Sequence, residues 1–346
     1  MPLLEVKNVD IEYKTANGTL KAVQDISFTL EEGERIGLVG ESGCGKTTLA
    51  KSFMRLLPSN GEIANGEIIF KGENLVTKSP EEIRKLRWKD IAMISQSAMS
   101  ALNPVYRVGD QIIEAIQAHS NMNNKQAYSR AVEVFKMVGL EEKRLRSYPH
   151  QMSGGMKQRA IIAMALTLEP ALIIADEPTT ALDVVVQDRI LHQIIQLQRE
   201  INSSMVFITH DISVVSETCN TIIVMYGGKM MEKASTRDFF KNPYHPYSLG
   251  LQNAFPSIAD IGEELISIPG SPPDLMNPKP GCRFQDRCPF ATELCQQEIP
   301  SLVEVSPEHF VACHFTEDVE KFRIESKKGE TWEKVQERLL LTGTEG

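Results

Sequence analysis

Along the first hundred residues the apolar positions recur mostly with the two-residue period of strands. Leu4, Val6, Val9 and Ile11 interleave with polar residues between Leu3 and Tyr13, Ala16-Asn17-Gly18 supplies a turn, and Val23 to Leu30 reads as a second strand. Ile36-Gly37-Leu38-Val39 is a continuous apolar run, the pattern of a strand covered on both faces. Good helix formers follow at Leu49 to Met54, then a short strand at Gly66 to Phe70 and a buried one at Ile91 to Ser95. From Ser97 to about Tyr148 the period changes. Val108, Ile112, Ile113 and Ile116, then Ala131, Val134, Phe135 and Val138, fall on helical faces, which predicts a small all-helical insertion. Beyond it come a helix from Gln158 to Leu168, a buried strand from Ala171, a helix from Val186 to Arg199 and a strand over Ser204 to Thr209. A hairpin of Thr221 to Met225 and Lys229 to Glu232 turns at Gly227-Gly228. Buried strands alternating with helices predict an α/β fold, interrupted once by helices.

Between the apolar run and its helix lies Gly40-Glu41-Ser42-Gly43-Cys44-Gly45-Lys46-Thr47-Thr48. Strand, glycine loop, Lys-Thr and helix together make G-x-x-x-x-G-K-[ST] a phosphate cradle. Gly40, Gly43 and Gly45 let backbone N–H groups converge on an anion, with Ser42, Cys44 and Thr48 completing the loop and the helix adding its positive end. Lys46 would reach the β- and γ-phosphates of a nucleotide, and the Thr47 hydroxyl would ligate Mg²⁺. A chance glycine turn would not explain the strand and helix on either side.

Other polar residues sit at strand and helix ends. The strand from Ala171 closes on Asp176 and Glu177, and burying a strand that ends in two carboxylates is costly unless they have a task. Asp176 would support the Mg²⁺ shell, and Glu177 would polarise an attacking water. Ser153-Gly154-Gly155 before a helix offers a hydroxyl, backbone amides and a helix N-terminus, a second anion site without a lysine. Gln96, at a strand end, can hold a metal-bound water or simply begin a surface loop. His210 at another strand end can contact a γ-phosphate or serve as packing. Tyr13 can stack on a purine or fill space, and spacing favours neither.

Taken together, Gly40 to Thr48, Gln96, Met152 to Gln158, Ile173 to Glu177, Ala181-Leu182-Asp183 and His210 resemble, in order, the Walker A, Q-loop, signature, Walker B, D-loop and H-loop motifs of ABC-type ATPases over residues 1 to 240. The signature departs from the usual pattern, reading Met-Ser-Gly-Gly-Met in place of Leu-Ser-Gly-Gly-Gln. The resemblance implies an α/β P-loop ATPase core, residues 1–96 and 149–240, with an antiparallel β subdomain and a helical insertion at 97–148. It implies that ATP lies against Tyr13, the phosphate loop and Gln96. Mg²⁺ would be held through Thr47, Gln96 and Asp176, with Glu177 and His210 catalytic. Ser153, Gly154, Gly155 and Asp183 would close over the ATP of a partner subunit.

Leu102-Asn103-Pro104, Asn242 to Tyr247 and Ile268 to Pro273 narrow the resemblance to the ATPase subunits of importers for peptides, nickel or related solutes, some of which serve oligosaccharides. That group implies a second ABC ATPase subunit, a heterodimer rather than a homodimer, two transmembrane permease subunits, and an extracytoplasmic solute-binding protein reached through the permease. The expected place is the cytoplasmic face of the membrane, as a peripheral subunit. Soluble ABC ATPases of DNA repair or translation, and an iron–sulfur-linked ATPase, are the alternatives.

Charge and cysteine content alter this picture in two ways. A formal net charge of −9 speaks against nucleic acid as a partner. The start, Met1 to Val6, lacks the basic-then-apolar layout of a signal peptide, and no run of eighteen apolar residues occurs. Four of the six cysteines fall in a C-terminal extension, residues 241–315: Cys282, Cys288, Cys295 and Cys313, with gaps of five, six and seventeen residues. Four thiolates can hold Zn²⁺ or a [4Fe–4S] cluster, and this spacing matches neither common pattern; buried thiols or two disulfides are the bland reading. The resemblance to the importer group favours the [4Fe–4S] cluster, with Zn²⁺ as the alternative. Cys44 and Cys219 read as packing residues. Residues 316–346 form a charged tail with an amphipathic patch, Trp332 to Leu341, and no assigned role.

Overall fold

The structure is a computed structural model and describes residues 1–95, 101–178, 184–254 and 266–342. Its strands, in chain order, are β1 (Leu4–Thr15), β2 (Gly18–Leu30), β3 (Arg35–Val39), β4 (Gly61–Phe70), β5 (Glu73–Asn74), β6 (Ile91–Ile94), β7 (Leu172–Asp176), β8 (Ser204–Thr209), β9 (Thr221–Tyr226), β10 (Lys229–Ser235), β11 (Val303–Ser306) and β12 (His309–Val311). The chain forms two compact units, each assembled from separated stretches. The first comprises Met1–Leu4, Leu30–Arg35 and Phe70–Ile208; the second comprises Glu5–Thr29, Ile36–Ile69 and Thr209–Gly346.

In the first unit β6, β7 and β8 run parallel, with Ile94 opposite Ala175 and Asp176 opposite Ile208. Every residue of β7 is buried, as a parallel strand between two neighbours requires. The helix Gly154–Leu166 lies beside this sheet, and the Trp88 indole N–H donates to the Met164 carbonyl at 2.7 Å. It starts four residues before the expected Gln158, because the Ser153 hydroxyl accepts the Met156 N–H and caps it there. The expected helical segment is present as Val108–His119 and Asn124–Met137, the second opened by a capping box of Asn123 and Gln126. Ile112, Ile116, Ala131 and Phe135 are buried between them, which is the period-3.6 pattern carried into packing.

In the second unit β2, β1 and β4 are hydrogen-bonded neighbours. A separate run of strands has the order β11-β12-β10-β9-β3. β3 is parallel to β9, with Leu38 opposite Ile223, and β9 and β10 form the hairpin expected around Gly227-Gly228. The extension then rejoins the sheet: β12 pairs antiparallel with β10, Glu232 opposite Val311. The short alternation Val303-Glu304-Val305-Ser306, the Pro307-Glu308 turn and His309 to Val311 are the sequence signal of this hairpin. Glu232, fully buried on β10, is satisfied by His309 Nε2 at 2.7 Å and by the N–H groups of Tyr244 and His245, both at 2.9 Å.

The charged tail also has a place. It forms the helices Val319–Glu325 and Gly329–Thr342. Phe322 stacks on Phe290 with ring centroids 4.2 Å apart, and Arg338 donates to the carbonyls of Asp286 and Cys288 at 2.9 and 3.0 Å. The tail therefore braces the cysteine-bearing segment. None of the helices among the described residues is long and apolar enough to cross a membrane.

Candidate functional site

The phosphate loop leaves β3 at Gly40 and enters the helix Lys46–Phe53. Two glycines are obligatory there. Gly40 has φ +143°, and a Cβ on it would stand 2.1 Å from the Met225 carbonyl oxygen; Gly45 has φ +102°, and its Cβ would meet the Ala22 oxygen at 2.4 Å. Gly45 is also the residue before the helix, and no side chain caps it, which leaves the first-turn N–H groups directed at the loop. Ser42 and Gly43 form the exposed tip, while Cys44 is buried as a packing residue.

Lys46 is buried to 6% exposure, and its ammonium donates to the Gly40 and Glu41 carbonyls at 2.7 and 2.8 Å. The loop is thus folded around this one charge. Tyr13 reaches the same helix, its hydroxyl 3.1 Å from the Thr48 hydroxyl, and its ring edge occupies the space beside Gly61. Tyr13 therefore borders the loop, with one face of its role, packing, directly visible. Thr47 lies in the first helical turn, half-buried. His210 follows β8, belongs to this second unit and is exposed, while the next residue, Asp211, caps the helix Ile212–Thr218.

Asp176 and Glu177 belong to the first unit. Asp176 closes β7 and is 4% exposed. Glu177 has left the strand with φ +46°, a left-handed backbone that a glutamate rarely adopts. Its N–H is nevertheless fixed to the Ile208 carbonyl at 2.9 Å, so the turn just after Asp176 is held by the neighbouring strand. Such strain is retained where the surroundings over-determine it. Ser153, Gly154 and Gly155 begin the helix Gly154–Leu166 in the same unit. Sequence reasoning missed Gln158, one turn further along. Its buried amide donates to the Pro178 carbonyl and ties this helix to the segment just after Glu177. Gln96 and Asp183 lie outside the described residues.

The four clustered cysteines line one small, mostly apolar cavity of about 20 Å³, together with Phe284, Phe290, Phe315 and Phe322. All six cysteines are free thiols. Burial pushes the Cys282 thiol up to about 12 and that of Cys313 to about 11, with Cys288 also raised; backbone N–H groups of Phe284, Phe290 and Phe315 partly offset it. Among the described residues no group of three or more His, Cys, Asp or Glu side chains is arranged to hold a metal ion.

Comparison with known proteins is unambiguous. Residues 23–180 match the family model described as ABC transporter, and residues 231–295 match that of the oligopeptide/dipeptide transporter C-terminal region. The chain is 45% identical over 313 residues to the oligopeptide transport ATP-binding protein OppD of Escherichia coli (strain K12), covering 90% of this chain and 92% of that protein. It is 44% identical over 314 residues to the dipeptide transport ATP-binding protein DppD of Bacillus subtilis (strain 168), covering 90% and 94%. Among solved structures, a dimeric post-hydrolysis state of the ATP-binding cassette MJ0796 bound to ADP and Pi superposes with a TM-score of 0.62 at 28% identity, over 68% of this chain and 99% of that one. With a phosphate loop built on Lys46, a strained Glu177 after a buried Asp176, and likeness running through both the cassette and its C-terminal region, the chain belongs to the ABC transporter family, among the ATP-binding proteins of oligopeptide and dipeptide transport.

Proposed function

We propose that this chain is the ATP-binding and ATP-hydrolysing subunit that powers import of peptides or related solutes through a separate transmembrane permease. The observation that carries the reading is the continuity of likeness to OppD over 90% of the chain, past the cassette and into the extension. A DNA-repair or translation ATPase would share the cassette and not the C-terminal region.

The chemistry follows from the residues. In-line attack of water on the γ-phosphate requires positioning and charge stabilisation more than covalent help. Lys46 and the N–H groups of the loop bind the phosphates. Glu177 takes the proton of the attacking water, and His210 and Gln96 hold that water and the γ-phosphate. Thr47 and Asp176 offer the oxygen donors that Mg²⁺ prefers. When bound, Mg²⁺ neutralises charge on the β- and γ-phosphate oxygens. Ser153, Gly154, Gly155 and Asp183 close over the ATP of a second ATPase subunit, a different chain by analogy with the importer group. The helical segment passes the closure to the permease at the cytoplasmic face of the membrane.

We further propose that Cys282, Cys288, Cys295 and Cys313 hold a [4Fe–4S] cluster. Four sulfur donors around one apolar cavity, three of them facing backbone N–H groups, fit that group in kind. Zn²⁺, which also accepts four sulfur ligands, is the alternative occupant. The cluster would supply positive charge that lets four buried thiolates ionise. Protein purified without oxygen is expected to be brown, with about four irons and four acid-labile sulfides per chain. Zinc with no iron would overturn the assignment.

The functional reading is tested by isolating the tagged chain from its native membranes in mild detergent. Two integral membrane subunits and a second, non-identical ATPase are expected to accompany it. Recovery with ribosomes or DNA and no membrane subunit would sink the importer reading, and a complex holding two copies of this chain would overturn the heterodimer.

A further inference from the structure

The phosphate loop contains an acid. Glu41 is its second residue, and a carboxylate beside a site for triphosphate is an electrostatic liability. Its partner comes from 246 residues away: Arg287 donates to Glu41 Oε2 at 2.6 Å. The Arg287 side chain is 4% exposed and that of Glu41 25%, so this is a largely desolvated pair and not a surface contact.

The guanidinium has two sides. Toward the loop it meets Glu41 and, at 3.1 Å, the Tyr226 hydroxyl at the end of β9. Toward the extension it donates to the Pro269 and Ile268 carbonyls at 2.8 and 3.1 Å. Its chain neighbour is Cys288. The backbone of Glu41 is held from the extension as well. Its N–H donates to the Tyr247 hydroxyl at 2.9 Å, and Tyr247 is fully buried in the helix Pro246–Asn253, against Tyr226 and Phe284. Both ends of Glu41 are thus fixed by residues that follow the cassette. The carbonyl between them accepts from Lys46.

We infer that Arg287 is a positioning residue for nucleotide. It draws the Glu41 carboxylate away from the phosphate site and offsets its charge, so the affinity of the loop for ATP is set in part by the C-terminal extension. The inference rests on the reading of Gly40 to Thr48 as the ATP site, and it is independent of the role of the cysteines. The extension then acts as a lever on the loop. Whatever displaces the segment around Cys288 releases a carboxylate into the anion site and weakens ATP binding without touching Lys46.

The test is titration of the full-length chain with a fluorescent ATP analogue, beside ATP hydrolysis. Wild-type binding establishes the ATP site, so its failure would count against the functional reading and not against this inference. Arg287→Met is expected to weaken nucleotide binding about tenfold or more, from one uncompensated charge near the phosphates, and to raise KM far more than it lowers kcat. Adding Glu41→Gln to it should recover most of the affinity, since the carboxylate is then gone. Arg287→Lys, which retains the charge and loses the fork, should show the same pattern at two- to fivefold, and it serves if the Met variant does not fold. Wild-type affinity in Arg287→Met, or a double variant as weak as the single one, would overturn the proposal. A merely structural arginine predicts equal impairment with and without Glu41.

Discussion

Glu177→Gln is expected to bind ATP and to hydrolyse it at least about 100-fold more slowly, the loss that follows when a general base is removed. The substitution keeps the size of the side chain and the backbone that carries it. Glu177 occupies φ +46° because its N–H is tied to Ile208, and glutamine meets the same constraint. Lys46, Thr47 and the glycines are unaltered, so binding persists while the proton has nowhere to go. The ATP-loaded variant should therefore accumulate as a closed pair of ATPase subunits. Phosphate release and size-exclusion chromatography with and without ATP check both halves. Turnover near the wild-type rate would remove Glu177 from the reaction.

Lys46→Met should act at the opposite end of the cycle. The methionine keeps the unbranched stem and deletes the ammonium that holds two loop carbonyls at 2.7 and 2.8 Å. A hydrogen bond to a charged group contributes roughly 1.5–3 kcal/mol, so nucleotide binding should weaken between about tenfold and about a hundredfold. The loss extends further in the hydrolytic step, where charge on the transferred group is greatest. The same fluorescent titration reads the first effect, and phosphate release under saturating ATP reads the second. An unaltered dissociation constant would mean that the backbone cradle alone binds the phosphates.

How much of this was legible in the chain depended on sequence distance. The phosphate loop and the Asp176-Glu177 pair could be read because each site is local, a strand, a turn and a helix in immediate succession. The helical segment was legible because Ile112, Ile116, Ala131 and Phe135 keep one period through burial. What was missed is tertiary. Nothing in Arg-Phe-Gln-Asp-Arg before Cys288 announces that its second arginine answers Glu41, nor does Tyr247 declare that its hydroxyl faces the loop backbone. The left-handed turn at Glu177 has no signal in residue type, since the sequence there offers no glycine. The tail read as charge alone because its buried positions, Phe322, Trp332, Val335 and Leu339, are spread over two short helices with charged residues between them. The cysteines were found by spacing, and their convergence on one cavity had to await the fold.

The pairing of β10 with β12 bears on whether the cassette can stand without the extension. If the chain ended after the hairpin, β10 would be an open sheet edge, the template on which other chains add strands. Glu232 would lose His309 and the N–H groups of Tyr244 and His245, the partners that satisfy its carboxylate, and water would have to replace them. A cassette cut off after β10 is therefore expected to need that edge blunted. In this chain the sheet is finished by the segment that carries the cysteines.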